Sequence, residues 1–119
     1  MEATVNLADA LASFDEVFQP RIVARYNGEK IQVAKIRGEF VWHSHPETDD
    51  LFLVLAGTLT IQLRDRDIEL GPGELFVVPR GVEHCPHADA EAHVLLIETL
   101  GTPNTGDSVE WEPAPEVEL

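Results

Sequence analysis

The stretch Gly38-Glu-Phe-Val-Trp-His43-Ser-His45-Pro-Glu-Thr-Asp-Asp50-Leu-Phe-Leu-Val-Leu-Ala-Gly57 decides how the chain reads. His43 and His45 stand two residues apart behind strand-like residues. On an extended backbone that spacing puts both imidazoles on one face, about 7 Å apart along the chain, where they converge on a single ion. Asp50 follows across the turn Pro46-Glu47-Thr48-Asp49 and shares its parity with Phe52, Val54 and Ala56. The opposite parity carries Leu51, Leu53 and Leu55, so this strand is apolar on both faces. One face suits a barrel interior. The other needs cover from a second sheet, the amino-terminal segment or another subunit, because contiguous exposed apolar patches on monomers are small. A homodimer packed sheet on sheet is the expectation.

Outward from this stretch the pattern is that of an all-β domain. Arg21 to Tyr26 and Lys30 to Ile36 flank Asn27-Gly28, a pair suited to the positive φ angles of a tight hairpin. Further strands are predicted over Phe40 to His43, Leu51 to Ala56, Thr58 to Arg64, Glu74 to Val78 and His93 to Leu100. Gly57, Asp65-Arg66-Asp67, Gly71-Pro72-Gly73 and Pro79-Arg80-Gly81 supply turns. Asn6 to Phe14 reads as a short helix, with Asn6 as N-cap and Leu7, Ala8 and Leu11 at helical spacing. Helices do not alternate with strands and no long repeat is visible, so doubly wound sheets and solenoids drop out. Residues 1–100 are expected to form the single domain. Residues 101–119 hold three prolines, five acids and no base, a tail expected to be disordered or pinned along a neighbour.

The whole chain has 119 residues, 22 acids against 8 bases, and a formal charge of −14. Nucleic-acid affinity rests on Lys and Arg displacing counterions, so a nucleic-acid partner is not expected, nor is an anionic membrane surface. The longest apolar run, Leu51 to Ala56, is too short to span a bilayer. Met1 to Leu11 has neither a basic start nor a sustained apolar core of the export-signal kind. One cysteine, Cys85, excludes an internal disulfide framework, and a reducing cytoplasm is the expected compartment.

A second stretch, Gly73-Glu-Leu-Phe-Val-Val-Pro79-Arg80-Gly81-Val-Glu-His84-Cys-Pro-His87-Ala88, brings a third histidine after a Pro-x-Gly turn. Three imidazole nitrogens and one carboxylate oxygen suit borderline divalent ions such as zinc, iron, nickel or manganese. Together the two stretches resemble the paired motifs of the cupin family, separated here by the fifteen residues Thr58 to Pro72. The sequence departs from the family pattern at three places. Gly38 stands one residue closer to His43, Asp50 replaces the family's glutamate, and Ala88 replaces its terminal asparagine. Aspartate is one methylene shorter, so it reaches an ion only if its strand sits closer, or it binds through water. Asp49 and Glu47 are the weaker substitutes.

The resemblance implies a double-stranded β-helix, a small jelly-roll barrel, with His43, His45, Asp50 and His84 matching the family's metal ligands. It also implies small-molecule chemistry without naming the reaction, since cupins include dioxygenases, decarboxylases, isomerases and lyases. Single-domain cupins of this size are often labelled similar to mannose-6-phosphate isomerase, but no Lys or Arg cluster fit for a sugar phosphate is evident. The alternative is a non-catalytic barrel that binds or senses a small ligand. Phe40, Phe52, Val54 and Phe76 are candidates for an apolar substrate pocket, and Arg80 for attracting an anionic group at its mouth. His93 is a candidate to face the barrel as a proton shuttle, against a structural role. His87 should lie at the surface, Cys85 should be a buried inert thiol, and Trp42 should point away from the ion.

Overall fold

A computed structural model describes residues 4–119. The elements, in chain order, are α1 (Leu7–Ala12), β1 (Arg21–Tyr26), β2 (Glu29–Glu39), β3 (Asp50–Ala56), β4 (Leu59–Leu63), β5 (Asp67–Leu70), β6 (Leu75–Val78), β7 (His84–Thr99) and β8 (Val117–Glu118). Asn27 and Gly28 take φ of 50° and 78°, the left-handed pair that closes the β1–β2 hairpin.

Two long strands organise the rest. β2 and β7 run antiparallel from Glu29↔Thr99 to Glu39↔His87, with a register shift between Ile36 and Gly38. The first part of β7 pairs with β4, from His84↔Leu63 to His87↔Thr60, and the later part pairs with β3, from Val94↔Val54 to Ile97↔Leu51. β5 extends the sheet beyond β4, and β6 extends it beyond β3. The two long strands are thus shared by both walls of a jelly roll. Between the walls lies a core of Ile36, Phe52, Val54, Leu59, Ile61, Val78, Val94 and their neighbours. Alternation explains which residues enter it: Asp50, Phe52 and Val54 are buried on β3 while Leu51, Leu53 and Leu55 are only half-buried.

The other face of the sheet is covered in part. Asn6 Oδ1 caps α1 by accepting from Asp9 N–H at 2.9 Å, and Leu11 and Phe14 pack on Val33, with Leu7, Ala10, Val23 and Leu55 around them. Beyond the helix Leu75 and Val77 remain 56% and 41% exposed beside Leu51 and Leu53.

Several expectations are corrected. Phe40 to His43 is not a strand of its own; it continues alongside the start of β7 through the bonds Phe40 N–H to Pro86 O (2.9 Å) and His43 N–H to His84 O (3.0 Å). β7 begins at His84 rather than His93, and β5 is a strand the sequence reading does not include, with only its first residue, Asp67, inside the turn read over Asp65 to Asp67. Of the two readings of the tail, the disordered one is corrected: the tail is pinned along neighbouring elements. It returns along its own chain, where β8 pairs parallel with β1 (Arg21↔Val117) and Glu118 pairs with Arg25.

Gly57, between β3 and β4, shows what the tight crossing demands. Its φ is +80°, and a Cβ there would lie 2.9 Å from Glu91 O and 3.1 Å from Ala92 Cα. Gly28 has a similar φ of +78° but nothing within 4 Å of its missing Cβ. Urea unfolding should therefore separate the two: Gly28→Ala is expected to cost ~1 kcal/mol for the left-handed conformation alone, and Gly57→Ala about 2–3 kcal/mol because backbone must also move.

Candidate metal centre

The histidines reach one point from two segments far apart in sequence. His43 and His84 form an antiparallel bridge in which each backbone N–H donates to the other's carbonyl, at 3.0 and 2.9 Å. Each imidazole is then fixed by the carbonyl two residues before it: His43 Nδ1 lies 2.8 Å from Val41 O and His84 Nδ1 lies 2.9 Å from Val82 O. A carbonyl only accepts, so both Nδ1 atoms carry a proton there and both Nε2 atoms face the cluster. The ring centroids of His43 and His84 are 4.2 Å apart, and His45 stands 5.0 Å from His43.

Asp50, the first residue of β3, completes the group. Its Oδ2 lies 3.4 Å from His45 Nε2 and 3.7 Å from His84 Nε2, so the shorter side chain does reach the cluster. Asp49 does not take its place: it is exposed and accepts from Arg80 N–H at 2.9 Å. Glu47 is exposed as well.

One ligand atom from each of His43, His45, Asp50 and His84 can be chosen so that all lie within 4.8 Å of one another. Opposite ligands on a six-coordinate ion stand about 4.2 Å apart at bond lengths near 2.1 Å, so these residues fit one divalent ion with small adjustment. Their hydrogen bonding agrees. His45 Nδ1 and Nε2, His84 Nε2 and Asp50 Oδ1 are buried without a hydrogen-bond partner. Buried polar atoms are rarely left so.

Electrostatics keep the donors ready. Burial, and then the neighbouring His84, pushes His43 down to about 4, so it is neutral at pH 7. Burial raises Asp50, but the His45 and His84 imidazoles beside it more than reverse this and hold its carboxyl below the ordinary value.

The cluster opens on a narrow cavity with about 40 Å³ of solvent-accessible space, reached by His43, Asp50, Glu98 and Asn104 and otherwise walled by apolar residues, among them Phe18, Phe40, Phe52 and Leu96. Of the pocket candidates, Phe40 and Phe52 line it. Val54 is buried in the core, Phe76 packs against the core, and Arg80 is exposed beside Asp49, so none of these three lines the cavity. The expectation that His93 faces the interior is corrected. Ala92 and Val94 take the inward parity of β7, and His93 lies on the other face near Leu7, Leu11 and Leu55, bonded to Glu91 at 2.8 Å. His87 is half-buried and bonded to Asp89. Cys85 is buried, its thiol pushed up to about 11 by burial and then Glu39. Trp42 carries the Arg64 guanidinium 3.8 Å over its ring.

Glu98 was not anticipated. Its buried carboxyl lies 3.7 Å from His45 Nε2 and 3.6 Å from Lys30 Nζ, and burial followed by the Asp50 charge pushes it up to about 8. The signal was present in the sequence: Ala92, Val94, Leu96 and Glu98 share one parity, and the last is an acid on an inward-facing row.

A family model described as Cupin domain matches residues 30–99, a span that holds all four clustered residues. This chain is a cupin. Among solved structures it is similar to a cupin-2 domain containing protein from Shewanella frigidimarina, at 42% identity and a TM-score of 0.79 over 80% of this chain and 93% of that one. Protein NMB1881 from Neisseria meningitidis is also similar, at 31% identity and a TM-score of 0.75 over 82% of this chain and 99% of that one. Among curated proteins the cupin is 33% identical over 63 residues to the uncharacterized protein YdbB of Bacillus subtilis, covering 52% of this chain and 56% of that one. It is 32% identical over 73 residues to the 3-hydroxyanthranilate 3,4-dioxygenase of Xanthomonas euvesicatoria, covering 58% of this chain and 42% of that enzyme. The chain thus spans about half the length of the curated relatives it matches. No helix among the described residues is long and apolar enough to cross a membrane.

His43 and Glu98 give the metal-free cupin opposing pH dependences. His43 is depressed to about 4 from 6.5, so its contribution to stability is present above pH 6.5 and is lost as pH falls toward 4. Glu98 is raised to about 8 from 4.5, so its contribution is present below pH 4.5 and is lost as pH rises through 8. The two nearly cancel between pH 4.5 and 6.5, leaving a decline from 6.5 to 8. Unfolding free energies of metal-free Glu98→Gln, measured in urea across this pH range, should lack that decline and instead fall on acidification from 6.5 toward 4, by about 3 kcal/mol at most.

Proposed function

We propose that this cupin is a metal-dependent enzyme acting on a small organic molecule, with a zinc, iron, manganese or nickel ion held by His43, His45, Asp50 and His84. The observation that carries this reading is the set of buried, partnerless donors on these residues, gathered at the end of an apolar cavity. A divalent ion bound there supplies Lewis-acid polarisation of a substrate oxygen, or activation of water or dioxygen. The similarity to a dioxygenase supports oxygen chemistry ahead of isomerase, decarboxylase or lyase chemistry.

The chain's own residues set the conditions. Val41 O and Val82 O hold the His43 and His84 rings with Nε2 facing the cluster. Asp50 supplies one negative charge against the ion. Phe18, Phe40 and Phe52 make the cavity wall apolar, which strengthens charge interactions within it. Beyond the cluster the polar residues on the cavity are Asn104, whose amide is already bonded to Phe18 O and Ala114 N–H, and Glu98, whose carboxyl we assign to orienting a substrate. No lysine or arginine lines the cavity, which favours a neutral or apolar substrate body over a sugar phosphate.

Elemental analysis of untagged protein tests this reading. Near-stoichiometric metal in the wild type, lost in His84→Ala with cooperative unfolding retained, is the expected result. Adding the cognate ion at 100 times its Kd should stabilise the wild type by about 2.7 kcal/mol. Protein that is empty and indifferent to added ions would instead favour the non-catalytic ligand-binding barrel.

As partner we propose a second copy of the chain, packed through the outer face of β6, β3 and β7. Leu75, Val77, Leu51, Leu53, Leu95 and Ile97 adjoin there by strand register, and none is charged in a chain carrying −14. Helix α1 is already engaged on Val33 and Leu55, so it does not cover this region. Two such chains repel everywhere else and meet on this face at least cost. Sedimentation should show a dimer for the wild type and a monomer for Leu75→Glu, with the fold intact because Leu75 is 56% exposed.

A further inference from the structure

The acidic tail crosses the molecule at the metal centre, and its contacts are specific. Glu116 accepts from Lys30 Nζ at 3.0 Å, and Asn104 donates from Nδ2 to Phe18 O at 3.1 Å while its Oδ1 accepts from Ala114 N–H at 2.8 Å. Trp111 stands edge-on to Phe18 and Phe40, with centroids 5.7 and 5.2 Å away. The closest engagement is with Ser44, the residue between His43 and His45. Asp107 Oδ1 accepts from Ser44 N–H at 2.7 Å, Oδ2 accepts from Ser44 Oγ at 3.0 Å, and Asp107 N–H donates to Ser44 O at 3.0 Å.

Gly106 brings the tail against the ligand itself. Its φ is +54°, and a Cβ there would overlap Ser44 O and come within 3.0 Å of His43 Cδ2. Thr105, one residue earlier, is 1% exposed. The tail backbone thus lies on the edge of the His43 ring, and Asp107 supplies a partner to the N–H, the carbonyl and the hydroxyl of the residue joining the two histidines.

We propose that Asp107 is a positioning residue for the metal centre: through its three bonds to Ser44 it fixes the His43–His45 backbone so that both imidazoles face the ion. This rests on the metal-binding reading above. The tail and the ion are then thermodynamically linked, since whatever holds the histidines in place favours the ion and the ion in turn favours the docked tail. Asp107 has little to do with the core, and its carboxyl is held below its ordinary value first by the Ser44 backbone N–H.

The experiment uses the full chain, with manganese(II) and zinc(II) as separate probes and affinity read by competition with a chromophoric chelator. Asp107→Ala should bind about 10-fold more weakly or worse, the range seen when partners of metal ligands are removed. Asp107→Asn keeps an acceptor for Ser44 N–H and should stay within a few-fold of wild type. Hydrogen exchange should show tail amides around 104–108 gaining protection when metal is added to wild type, and not in Asp107→Ala.

A merely structural tail contact would lower the melting temperature of metal-free and metal-loaded protein equally. A positioning role shrinks the increment that metal adds, and Ser44→Ala, which loses only the Oγ bond, should show a smaller loss of the same kind. Wild-type affinity in Asp107→Ala, or equal losses in Asp107→Ala and Asp107→Asn, overturns the assignment while leaving the metal reading intact. Wild-type protein that binds neither ion overturns both.

Discussion

The site depends on a single pair of backbone hydrogen bonds, those that join His43 to His84. One histidine closes the run after β2 and the other opens β7, forty-one positions later in the chain. Once the two backbones are bonded, each side chain is steered by the carbonyl two residues upstream, Val41 O for His43 and Val82 O for His84. The same device is used twice, so Nδ1 faces backbone and Nε2 faces the cluster in both rings. β-Pairing therefore sets orientation as well as position, and the jelly roll serves chiefly to bring these two segments side by side.

Such an arrangement is costly without an ion. Buried nitrogen and oxygen atoms on His45, Asp50 and His84 have given up water and found no replacement, and each such loss costs on the order of 1–3 kcal/mol. The burial that leaves them unpartnered also disfavours the charged form of His43. A core shared by both walls of the roll offsets these losses. The strain is thus local to the site, and the surrounding ladder of β2 and β7 is left regular except at the shift beside Gly38.

Much of this was legible in the sequence because parity on a strand is an unambiguous rule. The His43-x-His45 spacing, the inward row of Asp50, Phe52 and Val54, and the Asn27-Gly28 turn all read correctly from local pattern. His93 did not, because its strand begins nine residues earlier than the apolar run suggests, and the inward row of that strand is Ala92, Val94, Leu96 and Glu98. Asp67–Leu70 is a polar edge strand whose partner, β4, rather than its own composition, makes it one. The tail left two readings open for another reason. Composition measures how much apolar surface a segment can bury, whereas this one is held by backbone groups, Asn104, Asp107, Glu116 and one tryptophan, each meeting a partner far away in sequence.

Charge ties the tail to the chemistry as well as to the fold. The cavity presents Asp50 and Glu98 and no lysine or arginine, while Lys30 sits behind Glu98 and donates to Thr102 O and Glu116. A chain of −14 raises the local concentration of cations and lowers that of anions at its surface, most strongly where acids gather. The tail places Asp107, Glu110 and Glu112 along the segment that passes the metal centre. Such a field would draw divalent ions toward the cluster and turn polyanions away from it, which agrees with the proposed function and with an apolar cavity that holds no lysine or arginine. Screening by salt weakens the field outside within about 8–10 Å, whereas the buried imidazoles and Asp50 are little affected by it, so under the proposed function attraction and retention of a cation would rest on separate parts of the same chain.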